Sequence, residues 1–175
     1  MEGTFTIETP SAEDAPAIAR VHVQGWREAY GALLPERFYD DAAVERRTRW
    51  WTGQLDDADR PEVVRVARSA AGAVTGFALS GPSTPPDGFG AVVAEQLYAI
   101  YVLADCYGSG AGQALLDAVL ADRPAELWVA RDNPRARAFY ARNGFVPDGS
   151  ELVADHLEGL VEVRLVRGAD QPATS

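Results

Sequence analysis

Ala99-Ile100-Tyr101-Val102-Leu103-Ala104-Asp105-Cys106-Tyr107-Gly108-Ser109-Gly110-Ala111-Gly112-Gln113-Ala114-Leu115-Leu116 is the stretch on which the reading of this chain turns. An apolar run of strand character enters a glycine-rich turn, and the turn opens an amphipathic helix. Three glycines at alternate positions leave the backbone amides unobstructed where the helix begins. Consecutive N–H groups there, reinforced by the helix dipole, form a seat for phosphate oxygens. Alone, such a turn is a weak signal, since glycine also serves any tight turn that needs positive φ. A dinucleotide fold calls for Gly-x-Gly-x-x-Gly early in a βαβ unit; here the spacing is Gly-x-Gly-x-Gly, past the middle and after three strands. A nucleoside-triphosphate loop needs lysine, and all 16 basic residues of this chain are arginine.

A second segment, Asp132-Asn133-Pro134-Arg135-Ala136-Arg137-Ala138-Phe139-Tyr140-Ala141-Arg142-Asn143-Gly144-Phe145, opens and closes a short helix. Asn133 is a good N-cap, Pro134 a good first helical residue, and Gly144 a stop at C′. Capping accounts for those three without any chemistry. It does not account for Phe139-Tyr140 followed by Asn143-Gly144-Phe145, although core packing alone would explain a tyrosine there. Taken together, the two segments point to an acyl-CoA site and so to an acyltransferase.

Working outward, Phe5-Thr6-Ile7-Glu8 alternates as a first strand, and Ser11 with Asp14 has the form of a capping box before a helix through about Gln24. That helix carries Ile18, Val21, His22 and Gly25 on its apolar face. Gly31 and Pro35 break the next stretch, and a second helix is expected near Val44 to Leu55. Glu62 to Arg68 and Val74 to Ser80 read as a hairpin turning at Ala70-Ala71-Gly72-Ala73. Gly81 to Gly90 is a loop, Gln96 to Val102 a buried strand, and Gly110 to Leu120 a helix. Leu127-Trp128-Val129, the helix Pro134 to Arg142, and strands from Phe145 and from Leu160 to Val166 complete a mixed α/β domain. The expectation is one domain over residues 1–175, with 168–175 a loose tail.

Composition narrows the function classes. The apolar share of 47% and charged share of 24% are those of an ordinary globular protein. No run approaches the ~18 apolar residues of a membrane span. Met1-Glu2-Gly3-Thr4 lacks the basic and apolar regions of an export signal, so a cytoplasmic protein is expected. One cysteine and two histidines leave no disulfide and no Cys/His metal site in prospect. A net charge of −10 argues against nucleic-acid partners. Against that background, Arg131, Arg135, Arg137 and Arg142 with Asp132 give residues 131–142 a local charge of +3 (four positive, one negative).

Ala99-Ile100-Tyr101-Val102 with Gly108-Ser109-Gly110-Ala111-Gly112, then Asn133-Pro134, Phe139-Tyr140 and Gly144-Phe145, resembles the GNAT superfamily of N-acetyltransferases. The order of elements is similar along roughly residues 4 to 167, and Glu13-Asp14-Ala15 with Val21 to Tyr30 also resembles bacterial members. The resemblance implies a mostly antiparallel central sheet with a splayed fourth strand, flanked by helices. It implies acetyl-CoA as co-substrate without a metal, and a small-molecule or peptide amine as acceptor; family habit also admits a homodimer. By position, backbone groups of Ile100, Tyr101 and Val102 would bind the pantetheine arm. The turn Tyr107, Gly108, Ser109, Gly110, Ala111, Gly112 and Gln113 would hold the pyrophosphate, with Asn133 on the CoA arm and Arg135 near a phosphate. Tyr140 would protonate the departing thiolate. Tyr107 stands where members often have Gln or Arg, and Gln96 where they often have Glu. Glutamine cannot accept a proton, and Glu95 on a regular strand faces the opposite side, which leaves Glu95 through a bulge, a water relay, or an amine already neutral in solution.

Trp26 and Tyr30, four residues apart on one helical face, are the expected acceptor-side pair within an aromatic-rich first third. His22 reads as a hydrogen-bonded packing residue, and Cys106 has no neighbouring base that would make it a nucleophile. A non-catalytic acyl-CoA-binding module is the alternative that the same motifs allow.

Overall fold

The computed structural model describes residues 5–168; the expected tail beyond Gly168 lies outside the described residues. Strand β1 (Phe5–Glu8) leads through a 3-10 turn, Ala12–Asp14, into helix α1 (Ala15–Tyr30). The entry is fixed as a capping box would fix it: Ser11 N donates to Asp14 Oδ2 at 3.0 Å, and proline occupies the first helical turn. Helix α1 continues to Tyr30 instead of stopping near Gln24, so Gly25 lies inside it. Glycine is needed there because the helix closely approaches the strand beneath. A Cβ on Gly25 would lie 2.7 Å from Cδ1 of Tyr101, so only glycine lets the helix settle at that distance.

Helix α2 (Asp41–Asp56) starts earlier than its apolar pattern suggests, because Asp40 caps it by accepting from Ala43 N at 2.8 Å. The expected hairpin is β2 (Val63–Ser69) and β3 (Val74–Pro82). Strand β4 (Glu95–Val102), α3 (Ala111–Val119), β5 (Ala125–Ala130), α4 (Pro134–Arg142), β6 (Val146–Ala154) and β7 (Leu160–Arg167) follow. The strands hydrogen-bond in the order β1-β2-β3-β4-β5-β7-β6. Pairs β1/β2, β2/β3, β5/β7 and β6/β7 are antiparallel, whereas β4 runs parallel to β5 with Gln96 opposite Glu126.

Two compact units divide the chain: residues to Ser80 with Ala99–Ala121, and Gly81–Tyr98 with residues from Asp122 onward. In the first, α1 and α2 pack against each other, and Ile18, Trp51, Val66, Phe77, Leu115 and Leu116 are buried. Burial of such side chains is the main stabilising term, about 1.5–3 kcal/mol each before entropy is charged against it. In the second unit Leu127, Val129, Phe145, Leu157, Val163 and Leu165 form the core. That unit also buries Gln96, Glu126 and Arg164, polar groups that alternate with the apolar ones along their strands.

Candidate active site

In the first unit, β4 ends on Ile100, Tyr101 and Val102, and a 3-10 turn, Ala104–Cys106, carries the chain to the glycines. Gly108 (φ 77°) and Gly110 (φ 87°) are both left-handed, with nothing within 4 Å of where a Cβ would stand. Their requirement is therefore conformational, and the turn stays open on that side. Gly112 differs: it sits in the first turn of α3 with ordinary helical backbone. Gly110 is the N-cap of α3 and supplies no side-chain cap; Ala111 N donates to Ser109 Oγ at 3.3 Å and Ala114 N to Gly110 O at 3.0 Å. The amides of Gly112 and Gln113 have no carbonyl one turn earlier to bond, so they face outward as donors. The turn thus has the open helix N-terminus that the glycine spacing implies. Exposed Tyr107 donates its hydroxyl to Glu28 Oε2 at 2.9 Å and so ties the turn to α1.

In the second unit, Asn133 Oδ1 accepts from Ala136 N at 3.1 Å and caps α4. The cap uses the carbonyl oxygen and leaves the carboxamide NH2 for other partners. At the other end Phe145 N donates to Tyr140 O (3.1 Å) and Gly144 N to Ala141 O (3.2 Å), a Schellman motif closed by left-handed Gly144. The rings of Tyr140 and Phe145 meet edge to face at 5.8 Å, and Phe139 stands 5.5 Å from Tyr140 on its other side. Tyr140 is thus only 8% exposed and held rigidly at the helix end. Arg135 lies exposed on the same helix.

Carboxylates of this unit divide by sheet face. Glu95 heads β4, lies 3.9 Å from Arg123, and alternates with Gln96, whose Oε1 accepts from Thr84 N at 3.0 Å. Glu126, opposite Gln96, is fully buried and accepts from Ser83 Oγ (2.6 Å) and Val92 N (2.9 Å). Arg164 stands 3.9 Å from it and binds Asp148 Oδ2 (2.6 Å), Gly90 O (2.7 Å) and Ser150 Oγ (3.1 Å). Burial works against the charge of Asp148, but hydrogen bonds from Ser150 and Arg164 outweigh it and hold the carboxyl below its usual range. Glu162, paired across the sheet with Ala130, has its pKa raised by burial, partly offset by His156. Strand alternation marks all of these polar positions, yet their partners depend on the β5-β7-β6 order, which no local pattern reveals.

Returning to the first unit, Trp26 and Tyr30 do share a face of α1, edge to face at 5.4 Å, and Phe38 stacks on Trp26 at 6.1 Å. Beside them lies a residue that the sequence did not single out. The guanidinium carbon of Arg47, on α2, stands 4.2 Å above the Trp26 ring, and Nη1 lies 2.9 Å from His22 Nε2. His22 is buried and also faces Trp51 Nε1, at 3.3 Å from Nδ1. Burial, and secondarily the Arg47 charge, push His22 well below the ordinary histidine range, so its ring is neutral near pH 7. Arg47 is lowered by burial as well.

Residues 60–147, half of the chain, match the family model of the acetyltransferase (GNAT) domain, and the chain belongs to that family. An uncharacterized N-acetyltransferase, YuaI, of Bacillus subtilis (strain 168) is 34% identical over 113 residues; the match covers 63% of this chain and 60% of that relative's length. Among solved structures, a Corynebacterium glutamicum protein described as histone acetyltransferase HPA2 and related acetyltransferase superposes with a TM-score of 0.70 at 22% identity, over 98% of this chain and 99% of its own. The PaiA N-acetyltransferase of Thermoplasma acidophilum, solved in complex with coenzyme A, gives 0.62 at 17% identity over 92% and 98%. Both share the fold. Among the described residues no helix is long and apolar enough to cross a membrane.

Proposed function

We propose that this chain transfers an acetyl group from acetyl-CoA to a primary amine of a small molecule or peptide, in the cytoplasm. The observation that carries this reading is the Gly108-Ser109-Gly110 turn, left-handed at both glycines and opening onto an α3 without a side-chain cap, in a chain of this family. Amides of Gly108 to Gln113 take the pyrophosphate, with Tyr107 at the rim; backbone groups of Ile100, Tyr101 and Val102 take the pantetheine arm. The NH2 of Asn133 and the guanidinium of Arg135 serve the arm and a phosphate. Trp26 and Tyr30 form the acceptor wall.

In the reaction the amine nitrogen bonds to the thioester carbonyl carbon, the C–S bond breaks, and the thiolate takes the phenol proton of Tyr140. A phenol of pKa near ~10 suits a thiolate whose own pKa is about 8–9 by analogy with cysteine. The ammonium proton passes through water to Glu95, a carboxylate about a third exposed to solvent. A Glu95→Gln variant with an unchanged pH–rate profile would move that role to Glu162, whose burial already favours the protonated carboxyl. The test of the whole reading is thiol release from acetyl-CoA over an amine panel, with calorimetric titration of acetyl-CoA against an NADH control. Tyr140→Phe is expected to lower kcat by about 10²–10⁴-fold with CoA affinity nearly unchanged. Unchanged kcat removes Tyr140 from the mechanism. Binding of acetyl-CoA without turnover on any amine favours the non-catalytic acyl-CoA module, a reading supported by Gln96 standing where a proton acceptor would be useful.

A further inference from the structure

The groups around Arg47 contain more hydrogen-bond donors than acceptors. His22 is neutral, and a neutral imidazole has one acceptor nitrogen, yet two donors, Arg47 Nη1 and Trp51 Nε1, point at its ring. In the Nδ1–H tautomer Trp51 Nε1 is left without an acceptor, and in the Nε2–H tautomer Trp51 Nε1 and Arg47 Nη1 share the single lone pair of Nδ1, both at 3.3 Å. A third donor, Trp26 Nε1, is buried with no partner among the described residues. The rest of the surroundings are rings: Trp26 beneath the guanidinium, then Trp51, Phe77 and Tyr101 around His22. No carboxylate among the described residues pairs with Arg47, and Nε and Nη2 make no hydrogen bond to any of them. Its electrostatic neighbours are the phenols of Tyr101 and Tyr30, which favour the charged guanidinium, and Arg46, which is of the same sign and disfavours it.

A half-buried guanidinium normally has a carboxylate, because desolvating the charge is costly without one. The chain is rich in acids, with 26 Asp and Glu, and none among the described residues pairs with this guanidinium. Among the described residues the acceptor bonded to Arg47 lies at the Nη1 corner, so the Nε/Nη2 edge still offers the two parallel donors that match a carboxylate.

We propose that Arg47, lying against the Trp26 acceptor wall, binds a carboxylate of the acceptor, so that the preferred substrates are amines that also carry a carboxylate, such as amino acids or acidic peptides. This rests on the acetyl-transfer reading and on Trp26 and Tyr30 as the acceptor side. The carboxylate supplies the charge and the lone pairs that the cluster lacks, while the amine projects to the thioester.

The test compares each amino acid with its own carboxamide as acceptor, in wild type, Arg47→Met, Arg47→Lys and, as a control, Arg46→Met. Arg46 is exposed and donates to Arg37 O. Wild type is expected to prefer the carboxylate form in kcat/KM by roughly 10- to 100-fold, chiefly through KM. Arg47→Met brings the ratio to about one, Arg47→Lys keeps part of it, and Arg46→Met keeps it all. A wild-type ratio near one, or one that survives Arg47→Met, overturns the proposal. If no amine is acetylated, the acetyl-transfer reading fails by itself, and Arg47 is then judged by tryptophan-fluorescence titration with an N-acetyl amino acid and its carboxamide. Binding of the carboxylate form that is lost in Arg47→Met supports the site; equal binding of both forms sinks it.

Discussion

Arg47 and Arg164 both lie above tryptophan rings, and their charges are met in opposite ways. Arg164 stands 5.5 Å over Trp128, is 6% exposed, and meets Asp148, Ser150, Gly90 and, at longer range, Glu126. Arg47 stands 4.2 Å over Trp26 and meets a single neutral histidine. Arg164 fastens the 83–92 loop to strands β5 and β7, since Glu126 holds Ser83 and Val92 while Arg164 holds Gly90. A guanidinium with every edge engaged is a structural fastening. One with an idle edge beside an aromatic wall is available to a ligand.

Removing each arginine and measuring unfolding in denaturant separates the two roles most strongly. Arg164→Met leaves Glu126 and Asp148 without their cation, one of them fully buried, and is expected to destabilise the protein by roughly 3–5 kcal/mol. A loss under about 1 kcal/mol would mean that the network is not a fastening. Arg164→Lys should recover only part, because an ammonium cannot reproduce the planar contacts to Asp148, Ser150 and Gly90 together.

What the sequence discloses follows from how local each feature is. The capping of α4 by Asn133, Pro134 and Gly144 is written within fourteen residues, and the structure keeps each in its expected place. The left-handed turn at Gly108 and Gly110 is equally local. By contrast, nothing in Val44-Glu45-Arg46-Arg47 tells the two arginines apart; only the packing of α2 on α1 turns Arg47 to His22 and leaves Arg46 outside. Gly25 was legible as part of an apolar face but not as the point of closest approach to Tyr101, a contact 76 positions along the chain. The fastening around Arg164 depends on β7 lying between β5 and β6, an order set by the whole sheet.

The histidine under Arg47 gives a second, smaller measure. Its pKa is lowered by burial in the folded state, so the unfolded chain binds a proton that the folded one refuses. Stability from this source is complete above the unfolded value of about 6.5 and falls as pH drops toward the lower folded value. Up to roughly 2 kcal/mol is expected to be lost between pH 6.5 and 5, and His22→Gln should flatten that limb relative to wild type. An unchanged slope in His22→Gln would show that the ring is not held neutral.

Arg47→Met should produce the smallest change in stability, and that smallness is informative. No carboxylate is stranded when Arg47 leaves, and methionine restores apolar contact with Trp26 while relieving the desolvation of a charge. Replacement of a poorly compensated buried cation by a hydrophobic side chain is commonly neutral or stabilising. The expected shift is within about 1 kcal/mol of wild type in either direction. His22 should stay nearly as far below its ordinary range, because burial outranks the Arg47 charge among the causes of that shift. A loss of 3 kcal/mol or more would put Arg47 in the same class as Arg164, a residue the fold itself needs. A near-zero change together with a lost preference for carboxylate acceptors would separate the two arginines by function: Arg164 is kept for the fold, and Arg47 for the substrate.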